Sequence, residues 1–344
     1  MRRKLFALGF AASIVATAVV GGPAVPAGGT YPGINGRILF DHCDEVTCQI
    51  YTVNPDGSSL DQVTTEGVNF SGDWSPDGTK IAYVSDVSGD FTIWVADADG
   101  SNAVQLTPNL RRSDDFWPRF TPDGQRLLYV SCLGLDCDGG LYSVRIDGTH
   151  RHVVTSHSGA SYNVAERSPN RHRMAYMRWH VAGVKVGIYV SRPDGSHERL
   201  ITPPRLEGTI PDWAPSGESI LFTTNVFFDR PNVRLFAVHP DGTGLAGLTD
   251  NTWRINDWDG AYSPDGRRIV FDSDRASGCT GCGDLYIMTS DGAHTWRLPL
   301  PFDAYDARWG TAPLSTMPSE QVAVSRAVPA TPFRPWTAIA GGRF

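Results

Sequence analysis

Asp73-Trp74-Ser75-Pro76-Asp77-Gly78-Thr79-Lys80-Ile81-Ala82-Tyr83-Val84-Ser85-Asp86 is the stretch on which the fold turns. Pro76 presets φ for a tight turn and Asp77-Gly78 accepts the turn geometry, so the segment predicts a strand, a hairpin turn and a second strand. The signal returns as Thr121-Pro122-Asp123-Gly124, Ser168-Pro169-Asn170-Arg171, Ala214-Pro215-Ser216-Gly217 and Ser263-Pro264-Asp265-Gly266, with successive prolines 46 to 49 residues apart. A short β-rich run follows each turn, as in Leu127-Leu128-Tyr129-Val130 and Ile269-Val270-Phe271. A second turn series interleaves with the first: Pro55-Asp56-Gly57, Ala98-Asp99-Gly100, Ile146-Asp147-Gly148, Pro193-Asp194-Gly195, Pro240-Asp241-Gly242 and Ser290-Asp291-Gly292. Each unit therefore holds four short strands joined by two such hairpins, and four strands in roughly 40–50 residues is the signature of a β-propeller blade.

The ends of the repeat complement one another. Asn35-Gly36-Arg37-Ile38-Leu39-Phe40 reads as a turn and second strand with no first strand, and Ala304-Tyr305-Asp306-Ala307-Arg308-Trp309-Gly310 as a first strand with nothing after it. The expected architecture is an all-β, six-bladed propeller in which the C-terminal strand pairs with the N-terminal blade, leaving no free radial edge.

The units at 73–86 and 262–275 resemble the WD40-like (PD40) repeat of the TolB β-propeller family, and the likeness extends over roughly residues 34–311. The segment Ser168-Pro169-Asn170-Arg171 departs from the pattern by lacking the glycine. The resemblance implies the propeller fold. Its functional reach is broad, because the repeat also occurs beside hydrolase domains and in oligogalacturonate lyases with a histidine-rich metal site. No G-x-S-x-G nucleophile elbow is present in this chain.

Composition narrows the function. Asp plus Glu number 37 against 30 Lys plus Arg, so the basic field that a general nucleic-acid binder needs is missing. Met1-Arg2-Arg3-Lys4, the uncharged run Leu5 to Val20 and the small-residue exit Gly21 to Ala27 together read as a secretory signal. The expected organisation is a signal peptide at 1–27, the propeller at 28–311 and a flexible Pro/Ala-rich tail at 312–344. The expected location is secreted or cell-envelope/periplasmic, with no integral membrane segment once the signal is removed. Outside the cytosol the six cysteines favour disulfides in sequential pairs, Cys43/Cys48, Cys132/Cys137 and Cys279/Cys282. A tetrathiolate zinc site from Cys43, Cys48, Cys279 and Cys282 is the competing arrangement.

In this topology both hairpin series fall on one face. The loops between second and third strands, which carry all six cysteines, fall on the other with the links between blades. The loop face is the expected working face. Six residues before each Pro turn stand Phe70, Phe116, Asn163 (after Tyr162), Thr209, Trp258 and, by alignment, Tyr305, with Asn69, Asp115 and Asp257 one residue earlier. Three residues before the turns stand Asp73, Arg119, Glu166, Asp212, Ala261 and Arg308. An aromatic and charged ring at a channel mouth suits a protein, peptide or glycan. The same aromatics also suit packing of one blade on the next. The candidate ligand-binding set is Phe70, Asp115, Phe116, Arg119, Tyr162, Asn163, Asp257, Trp258, Tyr305 and Arg308.

The function expected is that of a monomeric, non-catalytic binding or scaffold module without a cofactor. The alternative is a metal-assisted lyase or a lactone or glycoside hydrolase at the channel mouth. That alternative needs three or more converging His, Asp or Glu side chains. His42, His172 and His180 lie at or near the ends of second strands and are the candidate ligands, whereas His150, His197 and His294 lie on the outer parts of different blades.

Overall fold

The computed structural model describes residues 31–110, 113–133, 139–157, 161–179, 185–224, 232–250, 255–276 and 283–314. These form six four-stranded antiparallel sheets around a common axis. The innermost strands of blades two to six are Asn69–Trp74, Ser113–Phe120, Ser161–Arg167, Thr209–Trp213 and Asp257–Tyr262. Blade one is composite. Its innermost strand is Tyr305–Trp309, which pairs with Ile38–Cys43, followed outward by Cys48–Val53 and Asp61–Gln62. The closing register sets Ile38 opposite Trp309, Leu39 opposite Arg308 and Asp41 opposite Tyr305, so the ring closes as the complementary ends require. No helix among the described residues is long and apolar enough to cross a membrane. The segments 1–30 and 315–344 lie outside the described residues.

One aromatic pair recurs in every blade. The second and third strands place opposite one another Phe40 and Tyr51, Tyr83 and Trp94, Tyr129 and Tyr142, Tyr176 and Tyr189, Phe222 and Phe236, and Phe271 and Tyr286. Ring centroids lie 5.7 to 6.3 Å apart in stacked geometry in five of the six. Such pairs contribute about 0.5–1.5 kcal/mol each beyond the area they bury.

A second recurrence governs the axis. Each innermost strand carries one more residue than its partner between matched positions, a β-bulge. At the bulge stand Ser71, Trp117, Val164, Ile210, Asp259 and Asp306, with φ of +54°, +53°, +27°, +51°, +48° and +46°. None is glycine, so each blade holds a residue in a conformation its β-carbon disfavours, at a cost of about 1–3 kcal/mol. Because the strain is the same in all six blades, it belongs to the architecture.

Candidate functional site

Contacts between non-adjacent blades must run through the axis, and they identify the residues there. Arg119 of blade three reaches Asp306 of blade one at 4.0 Å, and Arg308 of blade one reaches Asp212 of blade five at 4.0 Å. Arg308 also approaches Asp306 Oδ1 at 3.3 Å, and Ser71 Oγ donates to Asp306 Oδ2 at 3.1 Å. The residues three before each turn thus form a buried ring of mixed charge, Arg119 being 2 % and Arg308 4 % exposed.

The acids of this ring latch one blade to the next. Asp73 accepts the backbone N–H of Phe120 at 2.8 Å, Glu166 that of Trp213 at 2.9 Å, and Asp212 that of Tyr262 at 2.8 Å. Between blades one and two, Asp41 accepts the N–H of Ser71 at 2.8 Å. Burial dominates the electrostatics. It pushes the Asp73 carboxyl up to about 6 against the pull of Arg119. Burial and the neighbouring Asp212 raise Glu166 well above the carboxylate range, and burial and Asp306 do the same for Asp41. Burial works against the charge of Arg308, but Asp306, Asp212 and Glu166 hold it protonated more firmly than usual.

The candidate residues chosen from sequence are all buried. Phe70 and Phe116 stack across blades two and three with centroids 6.3 Å apart, and Phe91 touches both rings at 5.4 and 5.8 Å. Asp115 is buried, its carboxyl pushed up by burial and moderated by hydrogen bonds from Ser131 and Thr107. Tyr162 hydrogen-bonds through its hydroxyl to His157 Nδ1 and packs against Tyr176. Asn163 is 3 % exposed, and its Oδ1 has no hydrogen-bond partner among the described residues. Asp257 is gripped at both oxygens by Arg275, at 2.7 and 2.8 Å. Trp258 and Tyr305 are 8 % and 6 % exposed. The structure therefore brings Arg119 and Arg308 together at the axis, while the aromatic members pack at or within the blades.

On the loop face the first two blades build a continuous ridge. Thr47 Oγ1 donates to Gly67 O at 2.8 Å, Val68 N–H to Asp86 Oδ1 at 2.7 Å, and Asn109 Nδ2 to Ser88 O at 2.7 Å. These bonds tie four loops side by side and leave Val46, Val87 and Leu110 exposed at 86 %, 45 % and 40 %. Glu45 and Glu66 are exposed beside them, with Asp86, Asp90 and Asp114 half-buried. The partly buried Phe91 sits beneath, bonded through its carbonyl to Asp115 N–H at 2.8 Å. None of Val46, Val87, Phe91 and Leu110 stands in one of the two repeated hairpin turns or in an innermost strand. A search built on the repeat therefore passes over them; the signal was isolated apolar residues in loops otherwise made of polar ones.

The Cys43–Cys48 disulfide closes the first of these loops, and Cys132 is also disulfide-bonded. Cys137, Cys279 and Cys282 lie outside the described residues, as does His180. His42 stacks on Phe302 with centroids 4.0 Å apart, donates from Nδ1 to Asp303 O at 2.8 Å, and has its basicity lowered by burial. His172 lies exposed in the turn of blade four. Among the described residues no group of three His, Cys, Asp or Glu side chains is arranged to hold a metal ion.

Comparison with known proteins agrees with this geometry. The family model described as the TolB beta propeller domain (PD40) matches residues 44–257. The uncharacterized protein Atu1656 of Agrobacterium fabrum is 28 % identical over 159 residues, 44 % of this chain and 50 % of that protein. The chain thus matches about half the length of that curated relative. TolB from Acinetobacter baumannii superposes with a TM-score of 0.65 at 19 % identity, covering 80 % of this chain and 66 % of that one. A TolB homologue from Agrobacterium tumefaciens gives 0.61 at 17 % identity, covering 82 % and 94 %.

Proposed function

Because the chain belongs to the TolB β-propeller family, we propose that it is an exported, non-catalytic binding module whose loop face docks a segment of another protein or peptide. The observation that carries this reading is the ridge of exposed Val46, Val87 and Leu110 edged by Glu45 and Glu66. Exposed apolar side chains held on hydrogen-bonded loops offer anchors whose ordering cost is met in advance, and the carboxylates select a partner with surplus positive charge. Phe91, resting on Phe70 and Phe116, gives the ridge an aromatic floor. Export rests on the N-terminal charge and hydropathy pattern.

The test uses immobilised defined peptides, basic-apolar and acidic-apolar, alongside a glycan array, with the intact protein and with a Val46→Ser/Val87→Ser variant. Binding of the basic-apolar set, reduced at least tenfold in the variant, is the expected result. Retention of glycans in preference to peptides, or binding unaffected by the variant, overturns the reading.

A further inference from the structure

The opposite, hairpin end of the axis is filled by the chain itself. Tyr31 is 7 % exposed, and its hydroxyl donates to the carbonyl of Phe120 in blade three at 3.1 Å. Its phenol lies among Asp73, Glu166, Arg119 and Asp212 of four different blades, and with Trp117, Phe120, Val164 and Ile210 it joins one apolar cluster. From there the segment runs outward over the turns. Gly33 N–H donates to Pro264 O at 3.1 Å, Asn35 Oδ1 accepts the N–H of Asp265 at 3.0 Å, and Gly36 N–H donates to Gly310 O at 2.9 Å. Gly36 lies so close that a β-carbon there would meet Ala312 O at 1.9 Å. Ile34 between these anchors is 88 % exposed.

These contacts are those of a bound peptide. Main-chain donors and one amide side chain fix a bent backbone on the rim, and one aromatic side chain enters a socket that pairs its hydroxyl with a main-chain carbonyl. Residues 31–34 belong to no blade: they precede the first strand, Ile38–Cys43, while Gly36 continues the closing pairing of blade one at Gly310. We propose that the hairpin end of the axis is a peptide-binding site selective for a segment bearing a tyrosine, and that residues 31–36 occupy it in cis. A segment of the same chemistry from another molecule then binds when this one withdraws. The site is remote from the loop face and does not rest on the function proposed above.

The probe is a fluorescein-labelled synthetic peptide of residues 28–36, offered to the full chain by fluorescence anisotropy. The receptors are the native protein and a Tyr31→Ala/Gly33→Pro/Asn35→Ala variant that removes the phenol and two rim contacts. Binding at least tenfold tighter to the variant than to the native protein is expected, with loss of that binding when the peptide itself carries Tyr31→Ala. Equal binding to both receptors, no binding to the folded variant, or indifference to the peptide's tyrosine overturns the proposal. The single variant Tyr31→Ala keeps the question decidable if the triple variant does not fold. Millimolar p-cresol should raise its Tm and leave that of the native protein unchanged, and an equal response of the two overturns the socket.

Discussion

Asp73→Asn separates the charge of the axial ring from its hydrogen bonds. Asn keeps an oxygen to accept the Phe120 N–H that Asp73 takes at 2.8 Å, but it cannot ionise. Burial raises the Asp73 carboxyl from its ordinary 3.8 to about 6. At about 1.4 kcal/mol for each tenfold change in proton affinity, ionising Asp73 costs the folded protein roughly 3 kcal/mol relative to the unfolded chain. The raised value fixes the sign. The contribution of the protonated group is complete below about pH 3.8 and is lost as pH rises through about 6, because the unfolded chain gives up its proton first. Urea unfolding of both proteins, followed by tryptophan fluorescence from pH 3.5 to 7.5, should show near-equal stability at the acid end. The variant should then gain along a titration curve to a plateau of roughly 2–3 kcal/mol near neutrality. Comparing the two proteins cancels opposing groups such as Asp77, which bonds from Ser75 and Thr79 hold below the usual range despite its partial burial. A difference independent of pH, or a variant less stable than the native protein at pH 7.5, would refute the reasoning. It would mean that Arg119 and Arg308 stabilise the Asp73 carboxylate more than burial penalises it.

Three further outcomes follow from the same geometry. Gly124 sits in its turn at φ +65° and the equivalent Arg171 at +63°, so Gly124→Ala should cost about 1 kcal/mol in urea unfolding. Arg171→Gly should shift stability upward by less, since relief of strain is partly offset by the added freedom of the unfolded chain. Replacing both Cys43 and Cys48 by Ser opens a loop of sequence separation 5 and should lower stability by about 2 kcal/mol, read from the same titration. Ending the chain before Tyr305 removes the innermost strand of blade one and should abolish cooperative thermal unfolding in calorimetry, whereas ending it after Leu314 should leave the transition in place.

The repeat made the blades, their number and the closing strand legible, because Pro-Asp-Gly turns and alternating aromatics are local signals that each blade restates. The ring three residues before the turns was legible for the same reason, and Arg119, Asp212 and Arg308 meet at the axis. The positions six residues before the turns did not behave as a uniform set. The bulge adds a residue to each innermost strand, and Ser71, Trp117, Val164, Ile210, Asp259 and Asp306 carry no shared side-chain chemistry that would announce a left-handed backbone. The interleaved aromatics then found partners beside the axis, Phe70 with Phe116 and Tyr162 with Tyr176. Tyr31 and the ridge valines lie outside the repeat, so no periodicity pointed to them.

The acids at the axis answer a problem that the fold creates. Each innermost strand is an edge, with no further strand to take its backbone donors, and a buried N–H without an acceptor costs about 1–3 kcal/mol. Asp73, Glu166 and Asp212 serve three of the six joints from the ring itself. Where blade one carries Arg308 at that position, Asp41 on the adjoining strand accepts from blade two instead. Thr223 does the same for Asp259 at the fifth joint, at 3.2 Å. Arg119 and Arg308 then offset part of the charge that these acceptors gather, with Asp306 between them. Perturbed carboxyls occur in structural networks as well as at functional centres, and here Asp41, Asp73 and Glu166, all raised by burial, each accept a main-chain N–H from the next blade. Substitutions in the ring should therefore register as changes in stability with pH, and substitutions at Val46, Val87 or Tyr31 as changes in binding. No contact described above joins the ridge valines to the ring, so changes in stability from Val46 or Val87 and from the ring should add within about 0.5 kcal/mol. Tyr31, whose phenol lies among Asp73, Glu166, Arg119 and Asp212, should instead couple to the ring.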